Sequence, residues 1–520
     1  MKRLIFIFFI LTTYSQACEW KDNIPCVTVY PNSNKLDFKI QPTNTVTQKE
    51  IKKFNLITLN KVLNFVNGTN TVQSGPIGQT SSLFLRGTNS NHTLVLLNGI
   101  PINDFSSPTG QFDFGQDFMY NVSMIQVYKG ASASKFGADA IGGAVNIITT
   151  SNYETTLTTT DKSINGNYYK SINDWDINIQ GGKYKDKDKS ALAEGTDKDS
   201  VDNKSIAINV NKWFDNINFR TVLFSRSNFA NIDGHSLAVQ NGYSNNDFYA
   251  FQTSADYVTK DYTNYITLHT HEYNRRYEND KYKSSNYFFK IGHQANTYGL
   301  GLDYKFEESL LHDDDNVSLF ANYNYNIFSF GARKDSDNDT YSMGLFKNLT
   351  KSLDIRANHS TGYKKKTIWT AEEDSKTNEI NLDYNNTLSL FESETGIQNQ
   401  DGIELSYKKN NFNIFASHLN SKKNGVVQLR RPKWKTGFNH ILNINKFNVI
   451  TDYSFIGESY DIHNSNWSTI KMKELHLLNL GVEKNGFTFN INNLLNENYQ
   501  MPHGFTGEDR QFTIGYNKKF

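Results

Sequence analysis

The residues that could do chemistry in this chain are spaced for binding rather than catalysis. No Ser/His/Asp arrangement stands out, the 12 histidines form no metal-ligand spacing, and no glycine-rich phosphate loop with its lysine is present. An enzyme is therefore not expected. Asp197, Asp199 and Asp202 recur at alternate positions, which could gather oxygens around a hard cation, although the interleaved Lys198 and Lys204 fit a solvated charge run equally well. The only two cysteines, Cys18 and Cys26, fit a small disulfide loop in an exported protein, and a lone pair excludes a structural zinc centre.

Positioning any such group requires a large architecture, because 520 residues exceed one ordinary soluble core. Hydrophobic residues make up 37% while aromatics reach 14%, with 29 Tyr and 36 Phe against 6 Trp. Few aliphatics with many rings fit a transmembrane barrel, whose strands show one face to a polar lumen and place aromatic girdles at both interfaces. A net charge of +1 gives no electrostatic case for nucleic acid.

Lys2 and Arg3 precede the apolar run Leu4–Leu11, and Ser15-Gln16-Ala17 offers small residues for cleavage, so residues 1–17 read as a secretory signal. An N-terminal anchor is the alternative, and cleavage before Cys18 would also admit lipoprotein processing. Past residue 20 no apolar stretch approaches the roughly 18–20 residues of a spanning helix. A membrane protein with this sequence must therefore cross as a closed barrel.

Two textures follow. From about 35 to 150 the pattern is mixed. Thr47-Gln48-Lys49-Glu50 fits a capping box, Thr58 fits the cap of a helix carrying Leu59, Val62, Leu63 and Val66, and short strands are expected at Leu83–Leu85, Leu94–Leu97, Met124–Tyr128 and Val145–Thr149. From about 151 onward Ile206, Ile208 and Val210 alternate with Ala207, Asn209 and Asn211, and similar period-two runs continue to Phe512, Ile514, Tyr516, Lys518 and Phe520. Asn485-Gly486 predicts a tight hairpin turn. Lys183–Asn203 and His312–Asn316 read as polar loops.

The segment Gln73–Gly87, with Leu96-Leu97-Asn98-Gly99, Ile102-Asn103-Asp104, Lys129-Gly130, Phe136-Gly137 and Ala138–Thr149, resembles the plug domain of TonB-dependent outer-membrane receptors, nearest the cobalamin branch. Leu429-Arg430-Arg431-Pro432, Asn492–Tyr499 and the terminal Phe520 resemble motifs late in such barrels. The sequence departs from the family pattern at Asn98, Pro101, Gln126 and Lys129, and in the run Gly362–Thr367.

The resemblance implies a bacterial outer-membrane barrel of 22 antiparallel strands filled by an N-terminal α+β plug. Its parts would be a signal (1–17), an N-terminal segment (18–34), the plug (35–150) and the barrel (151–520). It implies active import driven by an inner-membrane TonB complex pairing with an extended segment, here Val27, Thr28, Val29 and Tyr30. Cargo would meet outward plug loops through Gln73, Ser74, Gln79, Thr80 and Ser81, and through Asn103, Asp104, Ser106 and Ser107. Their amides and hydroxyls suit cobalamin or another corrinoid, with a ferric siderophore or haem as the alternative and a passive porin or adhesin as rival classes. Turn chemistry explains the same residues. In the cobalamin branch, acidic outer loops bind calcium, which assigns Asp197, Asp199 and Asp202 that role; no other cofactor is implied. Gly87, Gly99, Gly130, Gly137, Gly142 and Gly143 would permit turns or close backbone approach, and Arg86 would pair with a lumen-facing glutamate.

Overall fold

Period-two alternation builds a wall whose polarity is the reverse of a soluble protein's. Ile206, Leu268, Leu319 and Ile514 point outward and stand exposed, whereas Asn178, Asn228, Ser318 and Asn439 point into the lumen and are buried. The computed structural model describes residues 44–520 apart from 132, 150–152, 188, 234–241, 279, 311, 351–352, 385, 410 and 464–465. The expected signal, Cys18, Cys26 and Val27–Tyr30 lie outside the described residues.

Among those residues, 22 antiparallel strands run from Thr156–Thr160 to Gln511–Lys519 and close on themselves through Gly515↔Thr160 and Lys519↔Thr156. The two-residue Val426–Val427 extends the hairpin after Phe412–Lys423, which also pairs directly with Trp434–Ile444. Closure leaves no free edge, so strand pairing satisfies the backbone within lipid. Turns at one end are tight. Asn173-Asp174 (φ 51° and 63°), Asn445-Lys446 (46° and 71°) and Asn485-Gly486 (50° and 85°) each have two central residues at positive φ, as type I′ hairpins require. The longer connections 189–199, 365–372, 424–433, 457–463, 466–474 and 493–510 gather at the other end. In outer-membrane barrels short turns face the periplasm and long loops the exterior.

Two expected loops are shorter than the sequence suggested. Trp175–Lys187 and Ser200–Phe214 carry the ladder through Lys183↔Lys204 to Lys187↔Ser200, and Asp313–Tyr325 begins its strand within the acidic run. Charged residues there alternate on strands rising beyond the apolar belt, where water solvates both faces. Polarity alone therefore does not mark a loop.

The plug fills the lumen. Thr47 caps the helix Gln48–Lys53 in a full capping box with Glu50, and Thr58 caps Leu59–Phe65. A five-stranded sheet runs in the order Asn44–Thr47, Met124–Lys129, Gly143–Ile148, Thr93–Leu97, Ile100–Pro101. Thr93–Leu97 and Gly143–Ile148 pair in parallel, while a separate hairpin joins Thr69–Gln73 to Ser81–Leu85. Leu59, Val62, Leu63, Leu83, Leu85, Val95, Val127 and Val145 form its core, and the wall residues Phe224, Phe248 and Tyr273 continue it outward.

Gly143 (φ 141°) shows how tightly the plug closes. A Cβ there would sit 2.2 Å from the Tyr128 carbonyl oxygen and 2.5 Å from Leu85 Cδ2. Gly143→Ala is expected to cost the plug more than about 1 kcal/mol. Amide exchange should rise over Thr93–Leu97 and Gly143–Ile148 while the heat-modifiable gel shift of the barrel stays as in wild type.

Candidate functional site

The plug is held by charge. Arg86, a non-glycine residue at φ 48°, buries its guanidinium against the wall. Its Nη2 lies 2.6 Å from Glu379 Oε1 and donates to Ser389 Oγ at 2.9 Å, and its Nε lies 3.0 Å from Glu404 Oε1. The Phe391 ring lies beneath, 4.2 Å from the guanidinium carbon. Lys129 Nζ reaches the other oxygen of Glu404 at 2.8 Å. Burial lowers the Lys129 ammonium pKa, opposed by Glu404, whereas the two glutamates outweigh burial at Arg86 and raise its pKa. The departure from the family pattern at Lys129 thus still supplies a positive charge to Glu404. Glu404 presses into the space a side chain at Gly68 would need.

Further pairs ring the interface. Arg226 meets Asp117 at 2.5 Å, Arg275 meets Asp104 at 2.5 Å, and Lys364 meets Asp139 at 3.2 Å. Arg431 has no carboxylate among these contacts. It donates to the carbonyls of Gly87 (3.1 Å) and Thr88 (3.3 Å) and to Asn89 Oδ1 (2.8 Å), and its guanidinium carbon lies 4.0 Å from the Phe84 ring centre. Burial pulls its pKa down to about 9, helped by neighbouring Arg430. The late Leu429–Pro432 motif therefore grips the plug.

Both apical plug loops face the long-loop end. In the first, Gly75 packs on Ala191 and Gly78 on Val201, and the buried Gln79 amide donates to the Asn231 carbonyl. Gln73 and Ser81 accept from Asn60 at 2.8 Å each, and Ser74 N–H donates to the Thr80 carbonyl at 2.9 Å. Thr80 alone of this set is exposed. In the second, Asn103 accepts from Val95 N–H at 2.7 Å, and Asp104 binds Ser106, Ser284 and Arg275. Ser107, half-buried, donates its N–H to the Asp104 carbonyl at 3.0 Å. The turn Thr367–Thr370 hooks this loop, as Thr367 Oγ1 (2.8 Å) and Trp369 N–H (3.0 Å) both donate to the Pro108 carbonyl. Most of the polar groups expected to meet cargo thus brace the loops, leaving Thr80 and Ser107 among the more accessible.

A cap covers the first loop. Leu192 bridges to Phe505, and Ala193 N–H donates to the Gly504 carbonyl at 2.8 Å, so the loops 189–199 and 493–510 lie together above Gly75. Carboxylates shape this cap. Asp199 accepts from Ala191 N–H at 2.6 Å, and Asp233 accepts from Ser190 Oγ (2.8 Å) and Leu192 N–H (3.2 Å). Asp197, Asp199 and Asp233 each bring an oxygen within 4.8 Å of the others. Each also keeps a buried oxygen without a hydrogen-bond partner. Burial pushes Asp199 up to about 7 against its backbone hydrogen bond, with Asp233 and Asp197 adding to the rise. Asp202 instead stands between Lys183 (3.3 Å) and Lys204 (3.9 Å).

The wall partners Glu379, Glu404, Arg226 and Arg275, together with Asp233, were not singled out from the sequence. Each wall partner is a charge on the polar face of its strand. That signal marks a lumen position but cannot identify the partner.

Residues 37–144 match the family model for the TonB-dependent receptor plug domain. A plug of this kind inside a closed 22-strand barrel gives the chain the architecture of the TonB-dependent receptors of the bacterial outer membrane, a class of transporters rather than enzymes. Among solved structures it is similar to the ferric-catecholate import receptor Fiu of E. coli K12 in its closed form (TM-score 0.75, 11% identity, covering 92% of this chain and 96% of that one). It is likewise similar to the siderophore receptor PiuA of Acinetobacter baumannii (0.74, 13%, 93% and 97%). A mutant of the ferric enterobactin receptor PfeA of Pseudomonas aeruginosa matches at 0.76, with 12% identity and coverage of 92% and 98%.

Glu404→Gln removes the carboxylate that Lys129 and Arg86 share and leaves Arg86 with Glu379. Breaking a buried pair from one side costs about 3–5 kcal/mol. Plug unfolding in detergent, followed by amide exchange over Ser81–Leu85, should weaken by that order, and Ser389→Ala by about 1 kcal/mol. An unchanged Glu404→Gln plug would show that the network does not hold it.

Proposed function

We propose that this receptor imports a ferric siderophore. The cargo would settle on the two apical plug loops from the long-loop side. The observation that carries the transport reading is the buried charged seam between plug and wall, which holds the plug closed yet is built of discrete pairs that a pull can separate. The iron-chelate reading is supported by the described roles of the similar folds, a ferric-catecholate importer, a siderophore receptor and a ferric enterobactin receptor. Of the expected set, the exposed Thr80 and the half-buried Ser74 and Ser107 would touch cargo. Energy would enter through the TonB complex pairing with Val27–Tyr30 as an added strand.

A corrinoid is the second reading, favoured by the aspartate cradle at the cap. In that reading Asp197, Asp199 and Asp233 hold calcium, whose oxygen preference fits an all-carboxylate set. Filling the cradle would replace mutual repulsion by attraction and fix the loop over Gly75.

Three measurements test these readings. Purified receptor should bind a ferric tris-catecholate chelate and not cyanocobalamin. Tight cyanocobalamin binding, strengthened by calcium, would instead select the corrinoid. Deleting Val27–Tyr30 should abolish cellular uptake while leaving binding intact, and uptake that persists would place the TonB contact elsewhere.

The cradle has a defined pH signature. Because Asp199 is raised in the fold, its proton stabilises the empty cap at low pH, and this contribution is lost as pH rises through about 7. Calcium must displace that proton, so affinity should fall about tenfold per pH unit below about 7 and level off above it. Asp199→Asn should abolish the effect, and calorimetric titration at several pH values would show it.

A further inference from the structure

The short-turn end of the barrel carries an arrangement that cargo capture does not use. Near the closure seam, neighbouring strand ends set lysines among aromatic rings on the outer face. Lys484 pairs across from Phe487, and Phe487 across from Tyr516. The pairing Asn448↔Glu483 sets Phe447 beside Lys484. Lys484 Nζ stands 4.0 Å from the Phe447 ring centre, and Lys518 Nζ stands 4.7 Å from that of Phe520. Phe487 and Phe520 are 63% and 67% exposed.

The charges here are uncompensated. Neither Lys484 nor Lys518 forms an ion pair with a described carboxylate; Glu483 accepts from Asn448 at 3.1 Å, and Glu154 is engaged by Lys519. Two strand spacings, about 10 Å, separate the lysine rows. Outward-facing Leu480, Val482, Phe489 and Ile514 continue from the rings into the apolar belt. A lysine whose stem lies on a ring keeps its head at the membrane interface, the depth of lipid phosphates.

We propose that this seam binds an anionic glycerophospholipid of the periplasmic leaflet. Its phosphate would lie between Lys484 and Lys518, and its acyl chains along Leu480, Val482, Phe489 and Ile514. A zwitterionic lipid brings its own ammonium to the lysines and is disfavoured. The site is independent of which cargo the receptor carries.

Native mass spectrometry of the full receptor released from micelles tests this, with phosphatidylglycerol, phosphatidylcholine and inorganic phosphate as probes. Wild type should retain phosphatidylglycerol severalfold over phosphatidylcholine. K484Q/K518Q should lose roughly thirtyfold of that retention, the order expected for two lysines at a lipid surface. K484R/K518R should restore it, and K347Q/K409Q, altering rim lysines away from the seam, should leave it unchanged. Should the double glutamine variant fail to assemble, K484Q alone carries the test with a smaller loss. Equal retention of the two lipids by wild type, or no loss in the glutamine variants, would overturn the proposal. Displacement of the lipid by inorganic phosphate would reject the acyl-chain contacts.

Discussion

Everything in this molecule depends on neutralising charge at the boundary between plug and wall. A side chain inside a protein-filled lumen has little water, so an isolated ion there would be prohibitive. Arg86 and Lys129 are therefore matched to Glu379 and Glu404, and Arg226, Arg275 and Lys364 to Asp117, Asp104 and Asp139. Such pairs add little net stability compared with apolar packing, but breaking one from a single side is costly. They suit a stopper that must stay seated at rest and still be movable.

The wall solves the complementary problem. Its lumen face is polar, yet several large rings point inward where the neighbouring strand supplies a glycine. A Cβ at Gly292 would sit 2.3 Å from Tyr265 Oη, and one at Gly301 would sit 2.3 Å from Phe320 Cζ. These rings cover backbone that has no side chain of its own. Phe320 also lies 4.9 Å from Lys290 Nζ, so it serves as a partner for a buried cation. Aromatic content therefore has two uses here, an outer girdle toward lipid and an inner lining beneath cations.

At the mouth, the same chemistry is left partly unfinished. The cap over Gly75 is folded by carboxylates that accept backbone N–H groups but also crowd one another. The second apical loop is tied down by Arg275 and by the hook at Pro108. One loop is thus shielded by a cap whose acids crowd one another, and the other is anchored directly to the wall.

The sequence by itself determined the barrel, a small domain ahead of it, and the caps at Thr47 and Thr58, because period-two alternation, capping residues and turn residues act over a few positions; that the small domain is a plug was legible only through its resemblance to the family. It also marked Arg86 as a partner for a lumen glutamate. It did not identify Glu404, which stands 318 residues away, nor replace Asp202 by Asp233 in the acidic cradle. It made the loop within Lys183–Asn203 too long at both ends, since charge reports solvation and not strand ending. It offered as cargo contacts polar groups that the plug uses for its own bracing, such as Ser81 and Asn103. Those outcomes belong to the tertiary structure alone: which charges meet depends on how the closed wall registers against the plug, and local pattern carries no record of that register.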